Sequence, residues 1–278
     1  MALIETISEM LSFTFMVRAI VVGLLVSLCA ALLGVNLVLK RYAMIGTGLS
    51  HVGFAVMAIA GVVDIAPLTI SMPVVVATAF LLLRLNESSK INGDSAVALI
   101  STSGLAIGVI VVSMTTGLTL HICNVMFGSI FAMTQADMYL SIVLSIVVLG
   151  IFILFYKQLF AVTYDENFAK ATGIKVEIYK SLLAILTAVT VVLGMRMMGA
   201  LLIASLTLFP ALSAMRVCKR FLSVIITAAV IGVVCFFVGM LFSFELDLPP
   251  GASVVGVNLA VFIVFSGIAL LKRGGVVR

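Results

Sequence analysis

Charged residues are scarce: Asp, Glu, Lys and Arg fill 10% of the 278 positions, against 64% apolar residues and a mean hydropathy of +1.38. Water-soluble domains usually carry about a quarter charged residues, so that class is excluded. Phosphate-binding loops are missing as well. Neither GxGxxG nor GxxxxGK followed by Ser or Thr occurs, so any nucleotide that drives this protein is bound by another chain. The four cysteines, Cys29, Cys123, Cys218 and Cys235, lack CxxC spacing, which leaves them as small buried hydrophobes rather than zinc or redox groups. The short alternating segments of a membrane β-barrel are absent too. Met1–Met10 holds Glu5 and Glu9 in place of a basic n-region, so no cleavable signal is expected. Three basic residues in the C-terminal tail do not make a nucleic-acid site.

What is present is a succession of apolar runs long enough to cross a bilayer. They predict one all-α, polytopic membrane domain over residues 1–278 with nine spans. These are Arg18–Leu39, Met44–Val62, Pro67–Leu83, Ser95–Met114, Met138–Tyr156, Ile178–Met195, Gly199–Met215, Phe221–Leu241 and Ala252–Leu271. The weakest is Gly199–Met215, and without it the count is eight. Basic residues collect in alternate connections: Lys40 and Arg41; Arg84 and Lys90; Lys157, Lys170, Lys175 and Lys180; Arg216, Lys219 and Arg220; Lys272, Arg273 and Arg278. Fourteen of the sixteen thus share one side, all but Arg18 and Arg196. That side is expected to face the cytoplasm, with the N-terminus outside and the C-terminus inside. Ile4–Phe15 is expected to lie along the outer interface.

The longest cytoplasmic connection, KQLFAVTYDENFAKATGIKVEIYK at Lys157–Lys180, has helical character in its middle. It predicts a short helix over residues 163–173, parallel to the membrane, with Thr163 as N-cap, Glu166 completing a capping box and Gly173 as terminator. The segment reads either as an interfacial linker or as a docking helix whose exposed apolar residue fits a groove on a partner. Irregular backbone is expected in PLTISMP, between Pro67 and Pro73, and in GALLIASLTLFPALSA, where Ser205 and Thr207 precede Pro210. A transport path and close helix packing both account for such residues. DLPPGAS, Asp247–Ser253, reads as a rigid outer turn near a gate or docking surface, with Pro249 and Pro250 limiting the chain and Gly251 taking the tight angle.

Histidine occurs twice. His51 sits in MIGTGLSHVGFAVMAIA, where Gly46, Gly48 and Gly53 surround Thr47, Ser50 and the imidazole. Three glycines make continuous helix costly, and unwinding there would offer nitrogen and oxygen donors suited to zinc or manganese. The other reading is a neutral histidine bonded to a neighbouring span. His121, in TTGLTLHICNVMFG, is either an interfacial histidine or part of an outer vestibule with Asp64 and Asp137. The 15 methionines, densest at Met195–Met198, form no repeated MxxM pairs and read as apolar packing rather than a Cu(I) path.

YDENFAKATGI at Tyr164–Ile174, followed one span later by RMMGALLIASLTLFPALSA, is similar to the permease subunits of ATP-binding-cassette importers for zinc, manganese or iron. The likeness extends to CAALLGVNLVLKRYAMIGTGLSHVGFAVMAIA at Cys29–Ala60, VMFGSIFAMTQADMY at Val125–Tyr139 and ELDLPPGASVV at Glu245–Val255. It implies that Asp165–Gly173 is the coupling helix, with Asp165, Glu166, Phe168, Ala169 and Gly173 serving the ATPase contact. It further implies a non-catalytic, multi-pass permease of a bacterial cytoplasmic membrane, working as two copies with two ATPase copies and an extracytoplasmic binding protein. ATP and magnesium belong to the ATPase; this chain holds no cofactor and binds no nucleic acid. The divalent metal is substrate, with His51, Thr47 and His121 as candidate ligands. The path lies between the spans bearing His51 and Pro210, with Ser50, Ser205, Thr207, Pro249 and Pro250 at path or gate. Such permeases usually read Gly-Asp-Ala-Leu-Ser-His where this chain reads GTGLSH, so Thr47 replaces an acid. A hydroxyl carries no charge to offset a divalent ion. The site then uses other ligands, holds metal weakly, or serves a small organic or chelated substrate instead. An ion-gradient transporter is disfavoured by the scarcity of acids within the spans.

Overall fold

The computed structural model describes residues 9–10, 12–63, 65, 67–87, 93–114 and 135–274. Among these residues the chain forms eleven helices of two turns or more, apart from one of six residues, and no strand. They are α1 (Thr14–Leu39), α2 (Ile45–Val63), α3 (Pro67–Glu87), α4 (Gly93–Ser113), α5 (Gln135–Leu154), α6 (Tyr156–Tyr164), α7 (Glu166–Ala171), α8 (Val176–Met198), α9 (Ala200–Val217), α10 (Phe221–Glu245) and α11 (Pro250–Gly274). Eight are long and apolar enough to cross a membrane. All nine expected spans are helical, but the marginal one is α3, not Gly199–Met215. The apolar part of α3 is confined to Thr69–Leu85, because Asn86 and Glu87 end it.

Helix α1 is the hub, packed against α8, α9 and α10. Its most apolar window is 72% buried, against 11% for α11 at the periphery. Lipid is as apolar as the bundle interior, so small residues rather than hydrophobicity decide which face turns inward. A β-carbon on Gly34 would overlap the Thr207 carbonyl of α9, and one on Gly23 would overlap the Phe236 ring of α10. Gly34→Ala is therefore expected to cost about 1–3 kcal/mol by overpacking, read as a lower Tm of the detergent-purified chain. Gly256→Ala, on an open face of α11, should not lower Tm and, by helix propensity, should raise it slightly.

The break between α8 and α9 falls at Gly199 (φ +88, ψ 160), a conformation essentially confined to glycine. The sequence had suggested irregularity at Pro73 and Pro210, yet α3 and α9 run unbroken through them. Pro210 is buried, 3.7 Å from where a β-carbon on Gly232 of α10 would stand, and this packing holds the helix despite the lost backbone donor. Two helices end in left-handed residues with paired backbone bonds. At Arg41 (φ +62) the Arg41 and Tyr42 N–H groups donate to Val38 and Leu37 at 3.1 and 2.7 Å. At Gly173 (φ +83) the Gly173 and Ile174 N–H groups donate to Lys170 and Ala169 at 3.1 and 3.0 Å, so Gly173 terminates its helix as expected. In the turn after α10 the left-handed residue is Asp247 (φ +51), not Gly251. Gly251 lies inside α11, which opens on Pro250, where a helix needs no N–H donor.

Candidate functional site

The α6–α7 segment is anchored by aromatic rings. Phe155 meets Tyr179 at 5.8 Å, and Tyr156 and Phe160 meet Phe221 at 5.7 and 4.5 Å, which lays α6 across the starts of α8 and α10. The N-cap of α7 is Asp165, not Thr163. The Asp165 carboxylate accepts the Asn167 and Phe168 N–H groups at 2.9 and 3.0 Å. Thr163 lies within α6, and its hydroxyl donates to Asn36 Oδ1 of α1 at 3.0 Å. Asn36 is fully buried, and an unpaired amide carbonyl there costs more than an uncapped helix turn.

Glu166 closes no capping box either. Its Oε1 lies 2.9 Å from Lys40 Nζ, just past α1, and its Oε2 lies 2.7 Å from Lys180 Nζ on α8. The two lysine side chains are only 5% and 8% exposed. Partial burial pushes the Glu166 carboxyl up, but the hydrogen bonds and charges of Lys180 and Lys40 outweigh it and hold it below the ordinary 4.5. The clamp's contribution is thus complete above about that pH and is lost only as pH falls through the lowered value. Ala169 is fully buried with Val162 and Val176. Of the five residues expected to meet a partner, Asp165, Glu166, Ala169 and Gly173 shape α7 and tie it down, while Phe168 projects outward at 63% exposure. Tyr164, the last residue of α6, is 80% exposed; it was not singled out from the sequence, and the extended backbone at Asp165 breaks any helical spacing between it and Phe168.

Around His51 the helix is continuous rather than unwound. The glycines serve packing instead. A β-carbon on Gly46 would stand 3.0 Å from Thr207 Oγ1 of α9, and one on Gly48 3.0 Å from Val97 of α4, while Gly53 abuts Met195 of α8. Close contact on three sides offsets the propensity cost of about 1 kcal/mol per glycine. From α4, Gly104 presses on the backbone of His51 and Val52, at 3.0–3.1 Å from its would-be β-carbon. That approach lets Ser101, one turn away, reach the imidazole: His51 Nδ1 and Ser101 Oγ are 2.7 Å apart. When Nδ1–H donates to Ser101, Nε2 keeps the lone pair that a metal needs. Ser101 was not singled out from the sequence; its signal is the Gly104–Gly108 spacing that brings α4 close.

The remaining candidates do not converge. Thr47 is partly buried, one turn before His51. Ser50 is fully buried and donates to the Thr47 carbonyl at 2.8 Å. The Ser205 and Thr207 hydroxyls turn back onto the Leu202 and Ala204 carbonyls, each at 2.8 Å. Thr207 lies in the seam of α1, α2 and α9, Pro210 against α10, Pro249 in the turn between α10 and α11, and Pro250 at the first position of α11. An open groove between α2 and α4, lined by Val52, Val56, Ile59, Leu99 and Ile107, includes none of them. In the single chain these small and polar residues act as packing elements. His121 and Asp64 lie outside the described residues. Asp137, proposed with them, is instead 2.8 Å from Arg196, joining the start of α5 to the end of α8. No group of three His, Cys, Asp or Glu gathers among the described residues.

A family model described as "ABC 3 transport family" matches residues 12–269. The chain is 26% identical over 254 residues to "Manganese transport system membrane protein MntC" of Halalkalibacterium halodurans, covering 91% of this chain and 87% of that protein. It is 28% identical over 261 residues to "High-affinity zinc uptake system membrane protein ZnuB" of Haemophilus influenzae, covering 94% and 98%. A chain of "PsaBC from Streptococcus pneumoniae in complex with Fab" has the same fold, with a TM-score of 0.84 over 95% of each chain at 24% identity.

Proposed function

Because the chain belongs to the ABC 3 transport family, we propose that it is the membrane-spanning subunit of an ATP-driven importer for a divalent transition metal, zinc, manganese or iron. The observation that carries this reading is likeness along nearly the whole chain to permeases named for manganese and zinc. The organic or chelated substrate rested on Thr47 alone and is not favoured by those relatives.

The chain works as two copies in a bacterial cytoplasmic membrane, N-terminus outside, and catalyses nothing itself. A separate ATPase dimer binds ATP and magnesium, and an extracytoplasmic protein delivers the metal. The α6–α7 segment docks on the ATPase through Phe168 of α7 and Tyr164 at the end of α6, its two most exposed aromatic side chains. The clustering of Lys40, Lys180 and α6–α7 at one end of the bundle, with Asp137 and Arg196 at the other end of α8, agrees with the alternation of charge along the sequence. His51, oriented through Ser101, contacts the passing metal. One imidazole without a nearby carboxylate makes a weak site, which suits an ion that must also leave.

The test is reconstitution of this chain with its ATPase and binding protein in vesicles, followed by zinc, manganese and iron accumulation. ATP-dependent accumulation of at least one of the three is the expected result. Failure of any ATPase to copurify, or hydrolysis with no metal accumulated, would overturn the proposal.

A further inference from the structure

If α7 receives a push from the ATPase, something must carry it into the spans. We propose that Glu166 is that linkage: its carboxylate, one oxygen on Lys40 and the other on Lys180, couples displacement of α7 to α1 and α8 together. This rests on the reading of α7 as the docking element.

The geometry favours Glu166 over the other ties. α7 has six residues, and the inward contacts described for it are the Glu166 bridge and the seating of Ala169 against Val162 and Val176. The apolar contact is non-directional and tolerates sliding. The charged hydrogen bonds, at 2.9 and 2.7 Å, are short and directional. Their lysine ends are buried, so parting either from Glu166 gives up a short charged hydrogen bond that solvent does not readily replace. Each lysine also belongs to a rigid element. Lys40 sits in the turn that closes α1, braced by the bonds of Arg41 and Tyr42. Lys180 is on α8, whose far end is fixed by the Arg196–Asp137 pair beside the Gly199 break. α8 therefore carries a charged joint at each end, and a push at Glu166 reaches Gly199 along one uninterrupted helix. Glu177, 69% exposed and 4.0 Å from Lys180, is too loose to replace it. The Thr163–Asn36 bond ties α6 to α1 alone and reaches no part of α8.

The experiment uses the complete transporter, with ATPase and binding protein, in vesicles. It reads metal ions accumulated per ATP hydrolysed, ATPase copurification and Tm. With E166Q, the ATPase is expected to copurify while the coupling ratio falls roughly 2–30-fold, the range for residues along a coupling route. A second variant replaces the whole triad with apolar residues (Glu166→Leu, Lys40→Met, Lys180→Met), which removes the buried cations and protects the fold. It should recover Tm but not the coupling ratio. Three results would overturn the proposal. One is an unchanged ratio in E166Q. Another is recovery of the ratio along with Tm in the apolar variant, which makes the triad structural. The last is loss of ATPase copurification in E166Q at normal Tm, which makes Glu166 a docking contact. Failure of the normal chain to hold an ATPase overturns the docking reading itself and is separately visible.

Discussion

Metal uptake is expected to fall to background when Ala169 is replaced by proline, while the protein still reaches the membrane at its normal level. The Ala169 N–H donates to the Asp165 carbonyl at 3.0 Å, and proline both removes that donor and drives its ring into the same carbonyl. Inside a helix this costs about 3 kcal/mol. α7 has six residues, so no remaining turn can absorb the break, and the Asp165 cap on Asn167 and Phe168 is lost with it. The spans are packed through α1, α8, α9 and α10 and keep their own contacts. Phe168→Ala separates docking from folding. At 63% exposure the ring contributes little to the fold, but a central aromatic anchor in an interface is worth about 2 kcal/mol or more. ATPase association should then weaken at least tens of fold at unchanged Tm, measured by pull-down alongside uptake. Normal uptake with proline at 169 would remove α7 from the coupling route.

The spans were legible because a bilayer demands long apolar runs, and no competing structure satisfies their backbone. Gly173 was legible because a helix end needs a left-handed residue and glycine adopts it freely. The same reasoning failed at Gly251 because Asp247 took that conformation four residues earlier. Thr163 and Asp165 both suit an N-cap, and the choice between them is made by Asn36, 127 positions away from Thr163. Glu166 reads as half of a capping box until Lys40 and Lys180 are beside it. The glycines around His51 carry opposite meanings locally and in the fold: a cost to helix propensity, and the close approach of α4, α8 and α9. Hydrophobic periodicity gives no help here, since lipid and neighbouring helices accept the same side chains.

His51→Ala, with expression matched, is expected to abolish uptake of the transported metal, tested across zinc, manganese and iron in the complete transporter. The informative partner is Ser101→Ala. It leaves the imidazole in place but removes the oxygen 2.7 Å from Nδ1 that sets the ring's orientation and tautomer. If Nε2 meets the metal, losing that oxygen should lower apparent affinity by about 10–100-fold, as for other residues that orient a metal-bound histidine. The maximal rate should change little, because the ligand itself remains. A histidine that merely fills space between α2 and α4 predicts a different pattern. Both variants would then lower Tm, since Gly104 already holds the helices within contact distance and a cavity would open beside it, and uptake per folded molecule would stay normal. A raised half-saturation concentration in Ser101→Ala at unchanged Tm therefore distinguishes a ligand from a packed core residue, and equal uptake by His51→Ala and the normal protein would exclude the ligand outright.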